Sequence, residues 1–291
     1  MPVLAVSLAL AAAVAHAAWN IVAHGSSRSG VAFLWWGAAF SAGIWALAIP
    51  LTGGLGRADP AGFLLGVVVS GALHVAYMLV LQRGYVSGDL STVYATARGT
   101  GPLLTVLIAM GLLGERPDLL ALLGVALVVG GVVAFGILGR PATRGAARGA
   151  DPALVYGLLT GVAIAVYTVW DAYVVTGLGV APVAFMVGCC AVEVLFFTAM
   201  LLRGGGAPAR LRGELRRGWR PLLAFGVLSP LSYVLVLTAV TMAPVSLVAP
   251  MREVSVVLVG LYGVIRHRES RPVLRVLAAA IVVAGVLLIG W

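Results

Sequence analysis

The sequence predicts an all-α, polytopic membrane protein of ten transmembrane helices arranged as two inverted five-helix repeats. Three observations predict it. Apolar residues fill 62% of the 291 positions and charged residues only 10%, against about 25% charged in a soluble domain. Apolar runs of about 20 residues, enough for a helix to cross a hydrocarbon core about 30 Å thick, recur from end to end without the alternation of barrel strands. A register of polar residues also recurs between the two halves of the chain.

Gly, Pro and Arg punctuation delimits spans at 3–23, 31–51, 62–84, 91–113, 119–139, 153–175, 180–202, 221–242, 244–265 and 273–290. They group into a first repeat (1–139), an Arg-rich linker (140–152) and a second repeat (153–291). The first span holds His16, Trp19 and Asn20 three and four residues apart, hence on one helical face. Its apolar run and the triplet Ala15-His16-Ala17 resemble a secretory signal, but it lacks a positive n-region and has a counterpart in the sixth span, so it is expected to be kept. The third span carries His74 and Tyr77. In the fourth, Tyr94, Arg98 and Pro102 lie one turn apart. An unpaired Arg at the bilayer centre costs about 3 kcal/mol on insertion scales, so Arg98 faces protein or water, or else snorkels to the interface. Pro102 frees a carbonyl of the preceding turn.

The sixth span presents Tyr167, Trp170 and Asp171 on one face, with Gly157 and Gly161 spaced for close helix packing. Cys189 and Cys190, the only cysteines, are adjacent in the seventh span; that spacing suits packing rather than a metal or disulfide. Glu193 lies mid-span with no basic residue within a turn. The eighth span brings Ser229 and Tyr233, and the ninth brings Pro250, Arg252 and Glu253. Neighbours on a helix point about 100° apart, so Arg252 and Glu253 are not a simple pair.

The internal echo links these residues. AVAHAAWN over AVYTVWD sets His16 on Tyr167, Trp19 on Trp170 and Asn20 on Asp171. Ser70 meets Ser229 and His74 meets Tyr233; Arg98 meets Arg252, Glu115 meets Glu269 and Gly131 meets Gly285. Five helices per copy is an odd number, so the second copy enters the bilayer inverted.

All 19 basic residues are Arg, giving a formal charge of +9, and most fall in short connections rather than on a soluble nucleic-acid-binding module. Alternate connections hold Arg28, Arg83, the trio Arg140, Arg144 and Arg148, the cluster from Arg203 to Arg220, and the trio Arg266, Arg268 and Arg271. The opposite connections hold only Arg57 and Arg116. The positive-inside rule then places both termini outside the cytoplasm.

HAAWN in the first span, GDLSTVYATARGTGP entering the fourth, APMREVS in the ninth, and Gly-Glu or Arg-Glu after the fourth and ninth spans resemble the drug/metabolite transporter superfamily, EamA-domain type, over nearly the whole chain. The resemblance implies an inner-membrane secondary carrier, often an exporter of amino acids or other small metabolites, working by alternating access between the halves. Many members are placed with both termini in the cytoplasm, against the arginine distribution here.

The residues expected to contact a small polar, anionic or zwitterionic substrate are His16, Trp19, Asn20, His74, Tyr77, Tyr94, Arg98, Tyr167, Trp170, Asp171, Tyr233 and Arg252. Two arginines related by a pseudo-two-fold axis can grip a carboxylate or phosphate from either side, or can instead tie down helix ends through backbone carbonyls. Glu193, Asp171 and Glu253 are candidates for proton coupling. The expected partners are the substrate, the bilayer and protons as a coupling ion, in a monomer or homodimer. No metal, cofactor or nucleic acid is called for, and there is no HExxH, Walker loop or nucleophile elbow to suggest an enzyme. The competing class is a non-transporting scaffold that holds anionic lipid headgroups through the Arg-rich connection 203–220.

Overall fold

The computed structural model describes residues 1–22, 30–87, 90–138, 151–267 and 272–291. Of the sequence expectations, Arg28, Arg140, Arg144, Arg148, Arg268, Glu269, Arg271, most of the linker and the side chain of Arg266 lie outside them. The described chain is helical: α1 (Val3–Val22), α2 (Val31–Ala46), α3 (Pro60–Ser87), α4 (Leu90–Leu112), α5 (Leu119–Leu138), α6 (Pro152–Thr176), α7 (Pro182–Arg203), α8 (Ala207–Arg217), α9 (Trp219–Val240), α10 (Val245–Arg252), α11 (Val254–His267) and α12 (Pro272–Gly290). Eight segments are long and apolar enough to cross a membrane, α10 and α11 counting as one, and α2 and α5 are shorter apolar helices within the described residues. Side chains such as Leu64, Leu107, Leu195 and Leu287 are left more than half exposed. Outward-facing leucines of this kind suit lipid rather than water.

Three expected elements differ. The second span, expected over 31–51, ends as an α-helix at Ala46 and passes into a 3-10 turn, Ile49–Leu51, where Pro50 has no N–H to extend the α-helical ladder. The connection 203–220 is not all loop: its middle forms α8, whose Leu211 and Ala207 pack against Val31, Ala32 and Leu201, and whose Leu211 carbonyl accepts from Trp36 Nε1 at 3.0 Å. The charged run APARLRGELRR folds because one stripe of it is apolar. The ninth span is not continuous. Pro250 lacks the N–H that would extend the α-helical ladder, Glu253 N–H bonds the Pro250 carbonyl at 2.9 Å and Val256 N–H bonds the Glu253 carbonyl at 2.9 Å. These tight i to i+3 links break the span into α10 and α11 at Glu253.

Helix packing groups elements out of chain order. Helices α1, α2, α9 and α10–α11 form one bundle and α3, α4, α6 and α7 another, joined along an extensive α2–α7 seam and by α4 against α10; α5 and α12 pair with each other at the side. Glycines set the close approaches inside each group. A Cβ on Gly37 (α2) would meet the Phe225 ring of α9, and one on Gly226 (α9) would meet Phe40 of α2; Gly66, Gly71 and Gly188 similarly admit Val174, Val192 and Val67 between α3, α6 and α7. Gly157 and Gly161 of α6 face Thr96 and Thr100 of α4, the close packing their spacing predicts. Gly124 and Gly285 bring the backbones of α5 and α12 together, and Gly131 lies against Ala278 and Val282.

Short connections make successive helices antiparallel, so the bundle has a face bearing both termini and an opposite, arginine-bearing face with α8. On the terminal face the halves of the chain are pinned twice. Gly56 and Val180 form an isolated antiparallel bridge, with Arg57 N–H donating to the Gly179 carbonyl at 2.8 Å. Glu115 accepts from the backbone N–H groups of Val245 (2.8 Å) and Ser246 (2.9 Å), a carboxylate capping the N-terminus of α10.

Candidate functional site

A cavity of about 170 Å³ lies between the two bundles, somewhat larger than an engineered cavity of about 150 Å³ that admits benzene. Its lining runs from Met186, Cys190 and Glu193 to Trp19, Phe33, Gln82 and Tyr85. The latter four sit at the helix ends nearest the arginine-bearing face. Two polar groups of residues meet there.

The first is built on α1, α4 and the α10–α11 break. Arg98 is 6% exposed and Arg252 is 4% exposed, and both line the cavity. Arg98 therefore faces protein rather than snorkelling. Its guanidinium lies 5.2 Å from the centre of the Tyr94 ring, its Nη1 donates to Glu253 Oε1 at 3.3 Å, and its Nη2 is 2.6 Å from His16 Nε2. A neutral imidazole has one donor and one acceptor nitrogen. The 2.6 Å contact makes Nε2 the acceptor, so Nδ1 carries the hydrogen and its 3.4 Å approach to Trp19 Nε1 is a contact of ring edges. Arg252 Nη2 is 3.7 Å from the same Glu253 oxygen. The helix break makes this possible, because Glu253 leaves the α10 register and turns toward both arginines. Among the described residues, Arg252 Nε and Glu253 Oε2 are buried without hydrogen-bond partners.

The second group joins α3, α6, α7 and α9. His74 stands between two carboxylates, with Nε2 3.2 Å from Asp171 Oδ2 and Nδ1 3.3 Å from Glu193 Oε1. Tyr233 Oη donates to the same Asp171 oxygen, and the rings of Tyr167 and Tyr233 stand edge-on to His74 at 4.4 and 5.5 Å. Neither carboxylate can donate unless protonated. His74 Nδ1 donates to or accepts from Glu193 according to the tautomer, while Nε2, although close to Asp171, has no aligned hydrogen-bond partner among the described residues. Glu193, with no basic neighbour along its own helix, finds one across the bundle.

Of the residues expected to contact substrate, His16, Trp19, His74, Tyr77, Arg98, Tyr167, Tyr233 and Arg252 line the cavity. Four do not. Asn20 bonds back to the His16 carbonyl at 2.7 Å; Trp170 donates to the Gly66 carbonyl at 3.2 Å; Tyr94 lies beneath Arg98; and Asp171 reaches the site through His74 and Tyr233. Glu253 likewise is not on the wall, though it contacts both arginines that are. Sequence reasoning missed Ser41, Gln82, Tyr85 and Ser232, all on the wall. Gln82 and Tyr85 continue the helical stripe of His74 and Tyr77, a signal that was there to be read. Cys189 and Cys190 are buried free thiols, and among the described residues no cluster of His, Cys, Asp or Glu suits a metal ion.

Residues 151–291 match the profile of the EamA-like transporter family. A solved structure described only as "Crystal structure of protein" is similar over 98% of this chain and 95% of its own, with a TM-score of 0.74 at 18% identity, a likeness of fold alone. No curated protein matches the chain. Residues 151–291 of this many-helixed, apolar chain are thus an EamA-like transporter domain.

Proposed function

We propose that the protein is a secondary carrier that exports a small anionic or zwitterionic metabolite, such as an amino acid, by alternating access. The observation that carries this reading is the pair of buried arginines on one cavity wall, one of them with a donor left unpartnered. A buried donor without a partner costs on the order of 1–3 kcal/mol, and a carboxylate in the cavity would supply the partner. The acidic group around His74 offers a zwitterion's ammonium its counter-charge, and the imidazole held between the two carboxyl groups makes Asp171 and Glu193 candidates for proton coupling.

The architecture we infer is the inverted repeat, with repeats at 1–139 and 153–291, ten crossings and the arginine-bearing face in the cytoplasm. Two kinds of contact support it. His74 and Tyr233, equivalent by the sequence echo, touch each other, as residues on a two-fold axis must. At the spacing that sets Gly131 on Gly285, the approach of Gly124 to Gly285 maps onto that of Gly131 to Ala278, so the α5–α12 contact exchanges with itself. The moving bodies we propose are the two mixed bundles, not the two halves of the chain. With the terminal face pinned and the cavity wall reaching toward the arginine-bearing face, the substrate enters from the cytoplasm.

The test is flux of amino acids and small carboxylates in vesicles containing the parent, Arg98→Ala or Arg252→Ala. We expect saturable flux in the parent and at least a tenfold loss in each variant. Unchanged flux in both would refute the site. Absence of any flux would favour a scaffold that holds anionic lipid on α8, whose Arg210, Arg212, Arg216 and Arg217 suit that task. The orientation is tested by a periplasm-active reporter fused after Trp291, expected to be active; one active only in the cytoplasm would reverse it.

A further inference from the structure

The arginine pair is already partly occupied by the chain itself. Glu253 is 1% exposed and places a single oxygen against both arginines, 3.3 Å from Arg98 Nη1 and 3.7 Å from Arg252 Nη2. Charge-assisted N–H to carboxylate bonds are normally about 2.7–2.9 Å, and Arg holds a carboxylate best by two parallel bonds. Neither condition is met. The second oxygen, Oε2, bonds nothing among the described residues, and neither does Arg252 Nε. A carboxylate held by one oxygen at long range, beside a guanidinium with an idle donor, is poorly matched to the site it occupies.

The charge count points the same way. Two guanidiniums face one carboxylate, leaving one positive charge in excess on the cavity wall. Were Glu253 only mortar between α4 and the α10–α11 break, its two oxygens would be expected to be satisfied, since a half-satisfied buried ion is a poor structural element. Glu253 is instead the chemical likeness of the ligand that the pair is suited to bind. It is not itself on the cavity wall, whereas both arginines are.

We propose that Glu253 is a built-in competitor: it occupies the Arg98–Arg252 pair when the cavity is empty, is displaced by the carboxylate of an incoming solute, and restricts the site to ligands bearing a single net negative charge at that end. The proposal rests on the carboxylate site inferred above and adds a selectivity-determining residue to it. Because Arg98 and Glu253 belong to different bundles, displacement also frees a contact that holds the bundles together.

The test uses the purified full-length protein in micelles at constant ionic strength. It is titrated with acetate (one negative charge) and malonate (two), and binding is read from tryptophan fluorescence, Trp19 being on the cavity wall beside His16. In Glu253→Gln we expect acetate to bind about tenfold tighter than in the parent and malonate about a hundredfold tighter, because a competitor and a negative charge are both removed. In Glu253→Asp, which keeps the charge but withdraws it by one methylene, acetate should tighten about threefold. This variant carries the test if the Gln variant does not fold. Arg252→Ala should lose both ligands. Equal or weaker acetate and malonate binding in the Glu253 variants, with Arg252→Ala still defective, overturns the competitor and leaves the site standing. Binding by Arg252→Ala equal to that of the parent, or by none of the proteins, overturns the site and the competitor with it.

Discussion

Replacing Gly285 by Ala sets two effects of opposite sign against each other at the α5–α12 contact. In a helix interior Gly→Ala is favourable by up to about 1 kcal/mol. A Cβ at Gly285, however, would lie 2.6 Å from the Gly124 carbonyl oxygen, 2.8 Å from Val128 N and 2.9 Å from Val128 Cγ2, whereas ordinary contact begins at 3.4 Å. The two nearest neighbours are backbone atoms, so no rotamer change relieves the overlap and the helices must part by about 0.8 Å (3.4 less 2.6). A gap of that size forfeits about a quarter to a half of each dispersion contact along the seam, and overpacking of this kind costs about 1–3 kcal/mol. The net expectation is a loss of up to about 2 kcal/mol, or a fall of up to about 4 °C in Tm for a chain of this size. Gly130→Ala is the control. It is in the same helix as Gly124 and its added Cβ would meet nothing within 4 Å, so only the favourable effect operates and Tm should rise slightly. Thermal denaturation of the full chain in one detergent measures both. A Gly285→Ala protein as stable as Gly130→Ala would refute the close approach. Because Gly124 and Gly285 face each other, adding Gly124→Ala should cost less than it does alone, the parted helices having already made room.

The terminal-face latch gives a second prediction. Glu115→Ala removes the cap on α10, a loss of about 0.5–2 kcal/mol, and should move the balance of conformations toward opening of that face by about two- to thirty-fold. Val180, 1% exposed beside the Gly56 bridge, reports it as Val180→Cys in a background with Cys189 and Cys190 changed to Ser. Faster thiol labelling is expected, and unchanged labelling would show that Glu115 does not hold the face shut.

The sequence was most legible where a single helix carries the information. Apolar length placed the helices to within a few residues, except where α2 ended early and α8 formed in a connection, because hydropathy governs both helix formation and lipid exposure. Helical spacing found His16, His74, Tyr77, Arg98, Tyr167 and Tyr233 on the wall. It failed where partners lie on different helices. Nothing along α7 says that Glu193 faces His74 of α3, and nothing along α1 says that His16 receives Arg98 of α4. Arg252 and Glu253 illustrate the limit: on a continuous helix they diverge, and only the break, prepared by Pro250 but fixed by its surroundings, turns them toward a common partner. Asn20 and Trp170 show the reverse error, polar groups on an inward face that spend their hydrogen bonds on backbone carbonyls.

The division of labour between glycine and charge bears on how such a molecule could move. The glycine notches at Gly37, Gly226, Gly66, Gly71 and Gly188 lie within one bundle or the other, where interlocked surfaces resist sliding because dispersion is lost at once when they part. The contacts that cross between bundles include Arg98 with Glu253 and His16, Tyr233 with Asp171, and Trp35 with Thr198 at 2.7 Å. Hydrogen bonds and ion pairs of this kind can be exchanged for others, with water or a solute as the substitute. A carrier needs bodies that stay rigid and an interface whose bonds can be replaced without leaving buried charges bare. Beside the packed α2–α7 seam, replaceable polar contacts between glycine-notched bundles suit both requirements, and they put the polar residues where a solute entering the cavity would meet them.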